Sequence, residues 1–208
     1  HPHLALLHSD HIDQVSESDA HLLSRAKEKT KGLISLIGDL LDLARLEAGA
    51  VCQEIKPIQV EDLLGNIVDF MQARAQAKRQ TLTLTAPDTP LPQLKADPLA
   101  LESIFGNLIA NAINYTPEGG RIDVAAAMSG INLGISVKDT GFGMEERHLE
   151  KIFERFYRVK TDKTRFITGT GLGLPIVKGL VDSLGGRISV ESAPDEGSTF
   201  TVLLPVAA

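Results

Sequence analysis

Asp139-Thr140-Gly141-Phe142-Gly143-Met144, then Ile152-Phe153-Glu154-Arg155-Phe156-Tyr157, then Gly169-Thr170-Gly171-Leu172-Gly173-Leu174: these three runs decide how the chain is read. The first glycine turn follows an alternating apolar run, Ile131 to Val137, with the period of a strand. The second precedes an apolar helical run, Leu174 to Leu184. Glycine has no Cβ, so backbone N–H groups there can close on an anion or a flat ring. A glycine turn that opens a helix also aims N–H groups and the positive end of the helix dipole at phosphate. The pattern predicts a nucleotide site with a mobile flap between its two turns.

Either glycine turn alone is equally an ordinary tight turn. Their order matters, together with a third run upstream, Asn107-Leu108-Ile109-Ala110-Asn111-Ala112-Ile113-Asn114-Tyr115-Thr116-Pro117. In this order the runs resemble the N, G1, F and G2 boxes of sensor histidine kinases, within the wider superfamily of gyrase, heat-shock-chaperone and mismatch-repair ATPases. The resemblance extends from about Leu33 to Pro205. It implies an α+β chain: an N-terminal helical hairpin that forms a four-helix bundle on dimerisation, then a two-layer α/β sandwich with a mixed sheet, the Bergerat or GHKL ATP-binding fold.

Composition agrees with a soluble globular class. Of 208 residues, 43% are hydrophobic and 23% charged, enough apolar side chain for a real core. No apolar run approaches the ~20 residues a membrane helix needs, and the polar, His-rich N-terminus does not read as a signal peptide. A net charge of −6 with no block of Lys or Arg argues against a nucleic-acid partner. The single cysteine, Cys52, excludes an internal disulfide and a multi-cysteine zinc site, and suits a reducing, cytoplasmic setting. His8 and His11 have the spacing of helical metal ligands but no third ligand nearby, so no metal is expected there. A membrane would be reached only through segments upstream.

The chain divides by pattern into a helical hairpin over 1–51, a linker over 52–57 and a catalytic domain over 58–208. In the hairpin, Leu4, Leu7, His8, His11, Ile12 and Val15 share one helical face, and Ser16 to Asp19 supplies a turn and a helix N-cap. The second helix carries Leu22, Ala26, Leu33, Ile37, Leu40, Leu41 and Ala44 along one stripe and ends at Gly49. Two helices alone have too little partner surface to cover these stripes; pairing with a second copy solves that, and packing on the chain's own C-terminal domain is the alternative. Further on, Val60 to Ala77 reads as an amphipathic helix and Thr81 to Thr85 as a strand. Asp97-Pro98 caps a helix running to about Asn114. Strands follow at Arg121 to Ala127, Ile131 to Lys138, Arg187 to Glu191 and Thr199 to Leu204, the last two joined by a turn at Asp195 to Gly197. Hairpins interleaved with helices predict a mixed sheet with its helices on one face.

Asn107 and Asn111 lie four apart, so their amides share a helix face. An amide oxygen is a hard ligand of the kind Mg²⁺ accepts alongside phosphate and water. By resemblance, Asn111 is the Mg²⁺ ligand and Asn107 stands beside the γ-phosphate of ATP. Related ATPases carry a Glu at position 107 as general base. An asparagine amide takes no proton near neutral pH, and losing such a base costs ~10²–10⁴-fold in rate. That favours transfer to a histidine over hydrolysis. Asp139 would accept from the adenine amine, Gly141 and Gly143 would let the base lie against backbone, and Thr199 resembles the strand hydroxyl of that network. The resemblance also brings Asn114, Tyr115, Arg158, Gly169, Thr170, Gly171, Leu172, Gly173 and Leu174 to the nucleotide, with residues 158 to 168 as a basic lid. It places Phe153 and Phe156 at the lid's start, with plain core packing as the alternative for both, and Arg155 as an aid at the phosphates. Where the family often has a phosphate-binding Lys, this chain has Asn114, which supplies no charge.

The family's acceptor box, His-Glu-x-x-Thr-Pro, finds only its proline here, at Pro2. The acceptor histidine is therefore expected upstream of His1, with His3, His8, His11 and His21 as alternatives. The reading that results is a kinase core that binds Mg²⁺–ATP, phosphorylates a histidine of its dimerisation helices and passes the phosphoryl to an aspartate of a response-regulator receiver domain, working as a homodimer. Its competitors are a GHKL-type ATPase clamp and a nucleotide-binding scaffold without transfer.

Overall fold

Alternation along three neighbouring strands builds the core. A computed structural model describes residues 17–49, 54–85 and 89–206. The elements are α1 (Glu17–Glu47), β1 (Lys56–Ile58), α2 (Val60–Ala77), β2 (Thr81–Thr85), β3 (Leu94–Ala96), α3 (Pro98–Tyr115), β4 (Arg121–Ser129), β5 (Asn132–Asp139), α4 (Glu146–Leu149), a 3₁₀ turn at Lys151–Phe153, α5 (Gly173–Ser183), β6 (Arg187–Ala193) and β7 (Gly197–Pro205). Five strands form one sheet in the order β2-β4-β5-β7-β6, with β2 parallel to β4 and every other pair antiparallel. The mixed sheet is as expected, and so is its single helical layer, since α2, α3 and α5 all pack on it.

Side chains alternate across a strand, and here one face is apolar and covered. Ile122, Val124 and Ala126 of β4, Leu133, Ile135 and Val137 of β5, and Phe200, Val202 and Leu204 of β7 are all buried. Their register is direct: Val137 lies opposite Val124 and Phe200, and Ile135 opposite Ala126 and Val202. Phe105, Ile104, Leu108, Ile109 and Ile113 of α3 fill the other side of this core. The same two-residue period that buries Leu133, Ile135 and Val137 carries one step further to Asp139, a carboxylate 5% exposed on the helix-facing side of the sheet.

α3 starts as its sequence predicts. The Asp97 carboxylate accepts from the Leu99 N–H at 3.0 Å, with proline at the first helical position. Replacing Asp97 with Ala should cost about 1 kcal/mol, seen as a lower urea midpoint at unchanged slope; an unchanged midpoint would show that the cap contributes nothing. At the other end of α3 the last carbonyls need donors. Lys78 Nζ donates to the Ile113 and Asn114 carbonyls at 2.7 and 3.2 Å, and Gln80 Nε2 to the Thr116 carbonyl at 2.6 Å. The α2–β2 turn thus holds the end of α3 in place.

Three expectations shift. Pro57, expected to close a linker, lies in β1, which pairs antiparallel with β3 (Pro57 opposite Lys95); a two-stranded ribbon tolerates the missing N–H. Ser18 and Asp19, expected in a turn, fall inside α1, which already runs from Glu17. The 121–127 strand extends to Ser129, because its hairpin with β5 continues to Ser129 opposite Asn132. The expected first helix, and with it His1, His3, His8 and His11, lies outside the described residues, as does Cys52. By contacts the chain separates into one unit ending at Gly38 and a second beginning at Asp39. In the first unit, Leu22, Leu23, Leu33, Ile34 and Ile37 are more than half exposed. Among the described residues, no helix is long and apolar enough to cross a membrane.

Candidate functional site

Asp139 ends β5, opposite Ile122 on one side and Ser198 on the other. Its Oδ1 accepts from the Gly141 N–H at 2.8 Å and the Ser198 N–H at 3.3 Å. Both bonds converge on one oxygen, leaving Oδ2 without a partner among the described residues. Burial pushes this carboxyl up from 3.8 to about 6, against the two backbone bonds that favour its ionised form. Directly opposite residues of an antiparallel pair share a face, so Ser198 stands beside Asp139. Thr199 lies opposite Lys138, on the other face. The place beside Asp139 expected for Thr199 is therefore taken by Ser198, whose Oγ sits 3.0 Å from Ser192 Oγ.

The first glycine turn is clamped from two directions. The Phe142 N–H donates to the Tyr115 carbonyl at 3.1 Å, fixing the turn to the end of α3. The Phe142 carbonyl accepts from the Asp195 N–H at 2.8 Å, and the Met144 N–H donates to Ser192 Oγ at 2.9 Å. Gly143, at φ +60°, is pressed against the β6–β7 turn: a Cβ there would lie 1.8 Å from the Ala193 carbonyl oxygen.

α3 links the two glycine turns. Asn107 Nδ2 bonds back to the Ser103 carbonyl at 2.9 Å, and its Oδ1 lies where a Cβ on Gly173 would be only 2.8 Å away. Asn111, one turn on, is half-buried with no side-chain hydrogen bond among the described residues. Its free carbonyl oxygen fits a cation that takes one protein oxygen together with phosphate and water. The described residues hold no group of three or more His, Cys, Asp or Glu suited to a metal. The site residues Asn107, Asn111, Tyr115, Asp139, Gly141, Gly143 and Gly173 thus gather around α3. A cleft of about 350 Å³ adjoins them, lined in part by Asn114, Thr116, Phe142, Lys163 and Ile167.

Several expected residues are engaged elsewhere. Arg155, expected at the phosphates, is paired with Glu47 of α1 at 2.7 Å, where opposite charges meet. Arg158 donates to the Gly169 carbonyl at 3.1 Å and to the Ile167 carbonyl, so its guanidinium joins the end of the flap to its start. Thr170 Oγ1 donates to Asp39 Oδ2 at 2.6 Å and accepts from the Leu172 N–H at 3.2 Å. Phe156 packs in no core: it is 64% exposed with a left-handed backbone (φ 63°), held by its N–H on the Gly171 carbonyl at 2.9 Å. Phe153 is half-buried.

The flap has more internal order than its basic composition suggests. Thr164 is buried; its Oγ1 donates to the Val159 carbonyl and accepts from the Thr161 N–H, both at 2.9 Å. Threonines three apart, a self-capping pattern, were the available signal. Lys163 pairs with Asp195 at 2.5 Å, fixing the flap to the β6–β7 turn. Ser198, Glu47 and Asp39 had no comparable signal, since their partners lie far away in sequence.

A family model described as histidine kinase-, DNA gyrase B- and HSP90-like ATPase matches residues 96–208. The phosphate regulon sensor protein PhoR of Pseudomonas aeruginosa is 36% identical over 192 residues, covering 92% of this chain and 43% of that protein. The chain spans 20% of the sensor histidine kinase GacS of Pseudomonas protegens and 60% of the sensor histidine kinase YcbM of Bacillus subtilis, 36% and 35% identical to it. A crystal structure of full-length ShkA in complex with AMPPNP is similar with a TM-score of 0.77 at 32% identity, over 94% of this chain and 41% of that one. The catalytic domain of histidine kinase ThkA matches 74% of this chain and 97% of its own, with a TM-score of 0.65 and 26% identity.

Proposed function

The chain belongs to the histidine kinase-, DNA gyrase B- and HSP90-like ATPase family, and we propose that it is the ATP-dependent protein-histidine kinase core of a two-component sensor. The observation that carries this reading is the buried Asp139 carboxylate, with Oδ1 held by two backbone amides and Oδ2 left free. A free carboxylate oxygen beside a glycine turn accepts from the exocyclic amine of adenine; guanine would present a carbonyl there and be repelled. Ser198 beside it supplies the neighbouring hydroxyl, while Gly141 and Gly143 let the turn close against the Tyr115 and Ala193 carbonyls and so hold the carboxylate in place.

From that anchor the phosphates run along α3 towards the second glycine turn, Gly169 to Gly173, at the start of α5. Asn111 would hold Mg²⁺, which when bound neutralises charge on the triphosphate. Asn107 faces Gly173 and orients the γ-phosphate without acting as a base. A histidine nitrogen then attacks the γ-phosphorus; the bond to the β–γ bridging oxygen breaks, ADP leaves, and the ring proton passes to solvent. The phosphoryl moves on to an aspartate of a response regulator. The exposed Leu33, Ile34 and Ile37 of α1, 61%, 65% and 57% accessible in the single chain, support homodimerisation through the N-terminal helices. The reading places the reaction in the cytoplasm.

The test supplies γ-labelled ATP and Mg²⁺ to this chain together with a separate acceptor-bearing helical hairpin. Label on the hairpin that is lost in acid and kept in base is the expected outcome. Free phosphate with an unlabelled hairpin would overturn the kinase reading in favour of hydrolysis.

A further inference from the structure

Asn114 brings no charge to the nucleotide site, yet a cation stands on it. Arg74, in the last turn of α2, donates from Nη2 to Asn114 Oδ1 at 2.8 Å. Asn114 lies three residues beyond Asn111, on neighbouring positions of the same helix. The contact occupies the amide's acceptor and leaves its N–H₂ free, so the pair presents donors only: the remaining guanidinium N–H groups and the asparagine amide.

Arg74 is exposed and makes no ion pair among the described residues, whereas nearby Arg79 pairs with Glu118. Lys78, one turn on from Arg74, cannot substitute for it, because its ammonium is bound to the Ile113 and Asn114 carbonyls. Burial, and then the Arg74 charge, lower the Lys78 pKa. Two positive groups thus lie close together without a carboxylate between them, an arrangement that an arriving anion relieves.

The geometry points to Arg74 as the phosphate-binding cation of this site, reaching the triphosphate across Asn114 from a different helix. This rests on the ATP reading above. A guanidinium fork suits phosphate oxygens and keeps its charge at any working pH. Asn114 acts as the post that aims it.

The test is calorimetric titration of the whole chain with Mg²⁺–ATP and, separately, adenosine. Arg74→Ala should weaken ATP roughly tenfold, the size of one charge-assisted contact, and leave adenosine unchanged. Arg74→Gln, which keeps a donor for Asn114 without the charge, should lose as much. The double variant Arg74→Ala/Asn114→Lys should recover most of the ATP affinity by restoring a cation in another position. The assignment is overturned if Arg74→Ala or Arg74→Gln binds ATP as the parent does, if adenosine is weakened equally, or if the double variant is no better than Arg74→Ala. Should the parent bind ATP in an Asp139-dependent way while Arg74→Ala has no effect, only this assignment falls. Should the parent fail to bind ATP, the functional reading and this assignment fall together.

Discussion

Asp139→Asn should lose ATP binding while making the nucleotide-free protein more stable. The two effects share one cause. Asp139 is ionised at neutral pH in a buried position that raises its pKa from 3.8 to about 6, a shift equivalent to roughly 3 kcal/mol of penalty on the charged form. The folded state binds this proton more tightly than the unfolded chain does. Stability from this group is therefore complete below pH 3.8 and is lost as pH rises through 6. Asparagine keeps an Oδ1 for the Gly141 and Ser198 amides and carries no charge. Its new N–H₂ needs a partner, which trims the gain to about 1–2 kcal/mol, or ~2–8 °C in melting temperature. On the proposed reading the same N–H₂ would face the adenine amine, donor against donor, and affinity should fall on the order of 10²-fold. The pH dependence separates this account from a generic effect. The stability gap between variant and parent should close as pH falls from 7 to 4, as the parent's carboxyl takes up its proton. A gap that persists at pH 4, or unchanged ATP affinity, would sink it.

Gly143→Ala should be among the most damaging single-methyl changes in the chain. At φ +60° the left-handed backbone alone costs an alanine roughly 1–2 kcal/mol. The larger part is steric. The added Cβ would lie 1.8 Å from the Ala193 carbonyl oxygen, 2.7 Å from its carbon and 3.1 Å from the Gly197 oxygen, all backbone atoms. No side-chain rotation relieves that, so the glycine turn and the β6–β7 turn must separate. The bonds from Asp195 N–H to the Phe142 carbonyl and from Met144 N–H to Ser192 would go with them. A destabilisation of about 3–5 kcal/mol follows, with nucleotide binding lost. Gly130→Ala is the control: it has a similar left-handed φ of +63° and open space around its Cβ, so it should cost only the backbone penalty, ~1–2 kcal/mol. Equal losses in urea unfolding would refute the steric account.

Legibility in the sequence followed the range of the interaction. Val60 to Ala77, Thr81 to Thr85 and the Asp97-Pro98 cap were readable because periodicity and capping act over a few residues, and the structure returns them at the expected positions. Asp139 was readable as the residue that continues an apolar alternation into a glycine turn. What was not readable depends on partners distant in sequence. β1 exists only because β3 pairs with it. Ser198 rather than Thr199 flanks Asp139 because of register, and one residue reverses the face. Arg155, in a turn, meets Glu47 at the end of α1, and Arg74 of α2 meets Asn114 of α3, through tertiary contacts that no local pattern encodes.

The clamping of the first glycine turn by the β6–β7 turn bears on how the protein is made. Residues 139 to 144 take their shape from Ser192, Ala193, Asp195 and Ser198, which leave the ribosome some fifty residues later. Until the β6–β7 hairpin docks, the growing chain has α2, α3 and the β4–β5 hairpin but lacks the bonds that shape this turn. The shape of the first glycine turn is thus set only once β7 has been made, and a chain that stops short of β7 should lack that shape even with β4 and β5 paired.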